Sequence, residues 1–205
     1  MILELFAKGL IIGMIFGIPA GAIGALTIQR TLEGGFLYGF ITGLGSSVAD
    51  TIYAIAGVFG ITLITGFLQK NEMICTVCGS ILIMIYGILI ILKKNTSTEK
   101  KIVSGKTYIS GFFSAFMIAL MNPSTVLSFL IAFSTFGLIG DYSLVEGSQI
   151  VCGVLAGTGA WWLVLSFLVN RLKLKITNKI YGVLNKVLGT VLIIFAIGMV
   201  VGKCI

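Results

Sequence analysis

Histidine is absent from all 205 residues, and aspartate and glutamate together supply only seven. Metal centres and hydrolytic triads are assembled from those residue types, so neither a metal site nor a hydrolase is expected. No glycine-rich phosphate loop ending in its lysine occurs, which argues against ATP-driven transport by this chain alone. Only two prolines and no low-complexity tract are present, and charged residues make up 10% of the chain. Little sequence is left for a soluble domain, and no cofactor is expected.

What is present is apolar: 58% of residues are hydrophobic and the mean hydropathy is +1.13. Six uncharged or nearly uncharged stretches cover residues 9–28, 36–60, 73–92, 108–136, 149–169 and 180–201. Each is near or above the roughly 20 residues that cross hydrocarbon as a helix. The expected fold is all-α, a polytopic membrane protein of six transmembrane helices. The first stretch opens like a signal peptide, with Lys8 before an apolar run, but lacks a small-residue cleavage site and is read as a spanning helix.

The basic residues set the topology. With six spans, the loops after spans one, three and five share a side and hold Arg30, Lys93, Lys94, Lys100, Lys101, Lys106, Arg171, Lys173, Lys175 and Lys179. The opposite side holds only Lys8, Lys70 and Lys203. The positive-inside rule therefore places the basic loops in the cytoplasm and both termini outside. The net charge of +7 is explained by topology and attraction to lipid headgroups, with no nucleic-acid partner.

The two halves resemble each other. Gly39, Gly43 and Gly45 in span two have the spacing of Gly153, Gly157 and Gly159 in span five, and the segment from Gly79 in span three resembles that from Gly189 in span six. Spans one and four hold the only prolines, Pro19 and Pro123. The expected organisation is a three-helix unit at 1–92, a basic cytoplasmic linker at 93–107 and a second three-helix unit at 108–205. An odd number of spans per unit inverts the second copy, an arrangement shared by many secondary transporters, which bind substrate near the midplane.

Asp50 is the only charged residue within 36–68. A carboxylate at that depth costs about 2.5–3.5 kcal/mol to insert, so such groups are functional by default. At helical spacing Gly43, Ser46 or Ser47, Asp50, Tyr53 or Ala54, and Gly57 share one small, polar face, which should look into the bundle. Asp50 could accept a proton, counter a substrate amine, or serve as a structural carboxyl. Pro19 in Gly17-Ile-Pro-Ala-Gly21 and Pro123 in Asn122-Pro-Ser-Thr125 should break or kink their helices. A break exposes a half-helix N-terminus suited to a carboxylate, and Asn122, Ser124 and Thr125 can bond a ligand or freed backbone. Gly9, Gly13, Gly17 and Gly21 form a smooth stripe for close helix packing. Trp161 and Trp162 lie away from a membrane edge and either wall a cavity or simply pack.

The length, the six stretches, the glycine-rich first span with its central proline, Arg30 at its end, the Gly-x-Gly-x-x-x-x-Asp-x-x-Tyr element at Gly43 to Tyr53 and the Asn122-Pro123 pair together resemble the LysE/RhtB family of amino-acid exporters. The family usually carries Pro-Gly-Pro in span one, where this chain has Pro19-Ala20-Gly21. The resemblance implies efflux of an amino acid or similar metabolite, driven by the proton motive force, across a bacterial plasma membrane by a homo-oligomer. Carried over by position, it implies transport roles for Pro19, Gly21, Asp50, Asn122 and Pro123. Ser46, Tyr53, Thr125 and Trp161 complete the candidate substrate and ion site.

Cys75-Thr-Val-Cys78 supports a competing reading, a thiol-disulfide electron carrier. Such a carrier would be expected to hold a cysteine beside each helix break, and spans one and four contain none. Cys152 and Cys204 read as small apolar packers. A non-transporting accessory subunit would have no evident use for a deep carboxylate or paired prolines.

Overall fold

Proline and glycine interrupt the first apolar stretch, and the chain breaks there into two helices. The computed structural model describes residues 2–17, 21–59, 70–92, 104–122, 142–173 and 178–204, together with Thr125, Phe129, Ala132, Phe133, Thr135, Phe136 and Leu138. Among them are seven α-helices and no strand: α1 (Ile2–Phe16), α2 (Ala22–Gly34), α3 (Phe36–Val58), α4 (Glu72–Leu92), α5 (Gly105–Leu120), α6 (Leu144–Lys173) and α7 (Asn178–Cys204).

Stretch 9–28 is thus not one helix but α1 and the beginning of α2. Stretch 108–136 is helical to Leu120, leaves the helix at Met121 and Asn122, and is helical again at Thr125, Phe129, Ala132, Phe133 and Thr135. Pro19 and Pro123 themselves, and residues 93–103 of the expected 93–107 linker, lie outside the described residues, while the rest of that linker, from Gly105, is already the first turn of α5. α2 is bounded by two glycines, Gly21 at φ 93°, ψ −150° and Gly35 at φ 87°, ψ −176°. Only glycine occupies that region without strain. At the start of α6, Ser143 and Glu146 cap each other reciprocally: the Ser143 hydroxyl donates to Glu146 Oε2 at 2.7 Å, and the Glu146 amide donates back to Ser143 Oγ at 3.3 Å. This serine-glutamate box fixes where the helix begins.

Among the described residues, α3, α6 and the Gly182–Gly202 part of α7 are each long and apolar enough to cross a membrane, and α4 contributes a shorter apolar run, Thr76–Leu92. Their polarity is arranged inside out. On α7 the outer face carries Val183, Val187, Val191, Ile194 and Ile197, whereas Asn185, Leu188, Gly189, Leu192 and Ala196 are buried. Large apolar side chains outside and small or polar ones inside are what a lipid solvent demands. On α3 the face of Gly43, Ser46, Ser47, Asp50, Tyr53, Ala54 and Gly57 is buried as its spacing predicts.

The glycine stripes set the contacts. A methyl added at Gly9 or Gly13 would strike the backbone of Ile150 or Val154, and one at Gly153 or Gly157 would strike Phe6 or Leu10. α1 therefore lies backbone to backbone against α6. α3 is central, packed on α2, α5 and α6, while α4 pairs with α7. Two apolar clusters hold the bundle. One joins Ile12, Tyr53, Phe129, Phe133, Ile150 and Val154; the other joins Ala22, Leu26, Ile83, Ile118, Leu192 and Ala196.

Candidate functional site

One turn of α3 separates Ser46 from Asp50, and both face a cavity of about 90 Å³. The start of α2 brings Ala22 and Ile23 to it, the end of α5 brings Ile118, Ala119 and Asn122, and Thr125 follows. Ile83 of α4, Trp162 of α6 and Phe195 of α7 complete the wall. Six helices thus converge on a space equal to about three liquid-water volumes of ~30 Å³ each.

Asp50 is 6% exposed, and no hydrogen-bond donor or cation partners its carboxyl among the described residues. An isolated buried carboxylate is costly and favours any cation or proton that reaches it. The first turn of α2 lines the same cavity through Ala22 and Ile23, and its leading N–H groups have no partner within the helix. Gly21 accepts the first bond there, from Ala25 N–H at 3.1 Å. One cavity therefore presents a carboxylate on α3 and a positive helix end on α2. The Trp162 indole N–H and the Ser47 hydroxyl are further buried polar groups without a partner among the described residues.

Of the residues expected from sequence, Ser46, Asp50, Asn122 and Thr125 come together in this cavity. Gly21 borders it: a methyl there would lie 2.9 Å from the Phe195 ring. Two others do not line it. The Tyr53 hydroxyl donates to the carbonyls of Leu120 and Ala119, at 2.6 and 3.3 Å, at the end of α5. Trp161 donates its indole N–H to the Met14 carbonyl, in the last turn of α1. Pro19 and Pro123 lie outside the described residues.

Phe195, Ala22, Ile23, Ile83 and Ile118 were not singled out as site residues, whereas Trp162 stood beside Trp161 as a possible cavity wall. The structure chooses between the two tryptophans: Thr158, Trp162 and Ser166 recur every fourth residue and are all buried. Arg30 also departs from expectation. It is not a loop charge but 5% exposed, bonded to α3 and α5. Cys78 and Cys152 are exposed free thiols, so Cys152 is not an internal packer. Neither is among the described residues that line the Asp50 cavity. The side chains of Cys75 and Cys204 fall outside the described residues.

The family model of LysE type translocators matches residues 14–203. The chain is 25% identical over 175 residues to "Chemotactic transduction protein ChpE" of Pseudomonas aeruginosa, covering 83% of this chain and 85% of that one. It is 24% identical over 193 residues to "Uncharacterized membrane protein slr1627" of Synechocystis, covering 94% and 91%. It is 22% identical over 203 residues to "Putative amino acid efflux protein YcgF" of Bacillus subtilis, covering 94% and 93%. No solved structure matches it significantly.

Proposed function

The chain belongs to the LysE type translocator family, a family of membrane transporters, and from that premise we propose that it exports an amino acid or similar small metabolite from the cytoplasm, coupled to the proton motive force. The observation that carries this reading is the pairing, in one cavity, of the lone Asp50 carboxylate with the start of α2. An α-amino acid is a zwitterion, and such a cavity offers each of its charges a counterpart. The substrate carboxylate takes the N–H groups at the start of α2. Its amine, or a proton in its place, takes Asp50. Ser46, Asn122 and Thr125 supply neutral hydrogen-bonding groups, and Trp162 and Phe195 the apolar walls. The name of the Bacillus relative, an amino acid efflux protein, points the same way.

Export needs alternating access, and the helix pairing supports two inverted three-helix units at 1–92 and 108–205. Exchanging spans one, two and three for four, five and six turns the α1–α6 contact into the α5–α3 contact, and both are present. The same exchange maps α3–α6 and α4–α7 onto themselves, and these too are present. Each unit also caps the other's broken helix: Tyr53 of the first bonds the end of α5, and Trp161 of the second bonds the end of α1. In this reading the units rock about the Asp50 cavity, in a bacterial plasma membrane, with basic loops inside and both termini outside.

The test is efflux of preloaded labelled amino acids from cells with and without the protein, with and without an uncoupler, beside an Asp50→Asn variant. Uncoupler-sensitive efflux that disappears in the variant is expected. If no amino acid leaves faster with the protein than without it, the substrate assignment is wrong.

A further inference from the structure

Arg30 is a second charge inside the bundle. Its Nη1 donates to the Gly111 carbonyl at 2.9 Å and reaches the Thr42 hydroxyl at 3.4 Å, and Nη2 donates to the Ser114 hydroxyl at 2.7 Å. The rings of Tyr38 and Tyr86 flank it, with centroids 5.7 and 5.4 Å from Cζ. Those contacts use three of the five guanidinium N–H groups. The Nε–H and one Nη2–H have no partner, and no ion pair neutralises the charge among the described residues. Nε and Nη2 form one edge of the guanidinium, the geometry that grips a carboxylate with two parallel bonds. Tyrosine faces lessen the cost of burying the cation but leave it un-neutralised.

This guanidinium borders a second cavity, of about 200 Å³, shared with Gln29, Glu33, Tyr38, Tyr86 and Ser110. We propose that it is a loading site, in which Arg30 takes the carboxylate of the substrate before the substrate moves to the Asp50 cavity. This rests on the exporter reading for the identity of the ligand, but not for the existence of an anion site.

Three features support it. First, α2, α3, α4 and α5 line both cavities. Ile23 to Arg30 on α2 and Ser46 to Tyr38 on α3 are offsets of about 10 and 12 Å at 1.5 Å per residue. Thr42, which Arg30 contacts, lies midway between Tyr38 and Ser46 on α3. Second, this is the end of the bundle where Lys173 reaches the Glu33 carbonyl at 3.4 Å, the end of the basic loops, and hence where an exporter loads. Third, Glu33 in the same cavity works against ligands with more than one negative charge, which favours a monocarboxylate over a phosphate.

Ser110 lines this cavity and is exposed, so it can report occupancy. The experiment places Ser110→Cys in a chain whose own cysteines are replaced by alanine and measures its modification rate by a charged thiol reagent in open membranes. The probes are a millimolar mixture of the common amino acids and the matching mixture of amino-acid amides. The acids should slow modification at least about threefold and the amides should not. Arg30→Gln should abolish the protection, whereas Asp50→Asn should keep it. Ser148→Cys, exposed at the opposite end, should be modified equally with and without Arg30→Gln, which checks that the variant folds. Protection that is absent, equal for the amides, or retained in a folded Arg30→Gln protein overturns the site. Protection without amino-acid efflux leaves the site standing and overturns the exporter reading; efflux without protection does the reverse.

Discussion

The Tyr53 hydroxyl on α3 donates to the Leu120 carbonyl at 2.6 Å, across to the last residue of α5. The bond falls where the sequence creates a need for it. Pro123 has no N–H, so the Ala119 carbonyl four residues earlier loses its helical donor. Ala119 instead accepts from Asn122 N–H at 3.1 Å and from the same tyrosine at 3.3 Å. Tyr53 thus satisfies the carbonyl end of a broken helix whose Asn122 lines the Asp50 cavity.

Tyr53→Phe keeps the ring, which is 2% exposed in an apolar cluster, and removes only the donor. The Ala119 carbonyl keeps its bond from Asn122 N–H, so the loss falls on the part-buried Leu120 carbonyl, at the lower end of the about 1–3 kcal/mol that an unsatisfied carbonyl costs. The thermal midpoint in detergent should fall by several degrees, and the substrate concentration for half-maximal efflux should rise, since the end of α5 is no longer held. An unchanged midpoint and unchanged efflux would show that the hydroxyl is dispensable to the break.

Gly21 should tolerate no side chain. Its φ of 93° and ψ of −150° cost a non-glycine residue of order 1–3 kcal/mol, and its methyl would meet the Phe195 ring. Gly21→Ala should lower the midpoint and abolish efflux together. The diagnostic comparison is Gly198→Ala, where a methyl meets nothing within 4 Å and helix propensity favours alanine; that variant should be at least as stable as the parent.

Much of this was legible in the sequence. The apolar stretches, the breaks beside Pro19 and Pro123, and the inward face of α3 all follow from local chemistry: hydropathy, a missing N–H, and a 3.6-residue period. Four of the expected site residues meet for the same reason, since Ser46 and Asp50 share a face and Asn122 and Thr125 flank one proline. What stayed hidden depends on how distant helices approach. Adjacent residues on a helix point about 100° apart, so choosing Trp162 over Trp161 required knowing where α3 lies. Phe195 reaches the cavity from the last helix, with no signal in its own neighbourhood. Arg30 read as a loop charge because it ends an apolar stretch; only the approach of α5 and the rings of Tyr38 and Tyr86 reveal that it is enclosed.

Gly43 is the seat of Trp162. A methyl added there would lie 2.6 Å from Trp162 Cδ2 and closer still to its Cβ and Cγ, so the indole or all of α6 must move. Overpacking of this kind costs about 1–3 kcal/mol, and here it acts on the cavity wall. Gly43→Ala should therefore impair efflux more than stability. Pairing it with Trp162→Ala, which removes the Cγ and Cδ2 that the methyl would strike, should recover part of the lost stability. Equal, additive losses in the double variant would show that the two residues do not act through one contact.

Asp50→Asn separates stability from function in the opposite direction. The carboxyl is buried with no partner among the described residues, so the charged form is a burden the fold carries, and an amide of nearly the same shape removes it. The thermal midpoint should stay level or rise by about 2–4 °C, the shift that ~1 kcal/mol produces in a chain of this size. Uncoupler-sensitive efflux should vanish at the same time. Asp50→Glu keeps the charge but lengthens the side chain in a cavity of about 90 Å³, so it should retain weak efflux at reduced stability. A large drop in the midpoint of Asp50→Asn would mean that the carboxylate is a structural element, and the proton or substrate amine would then need another partner.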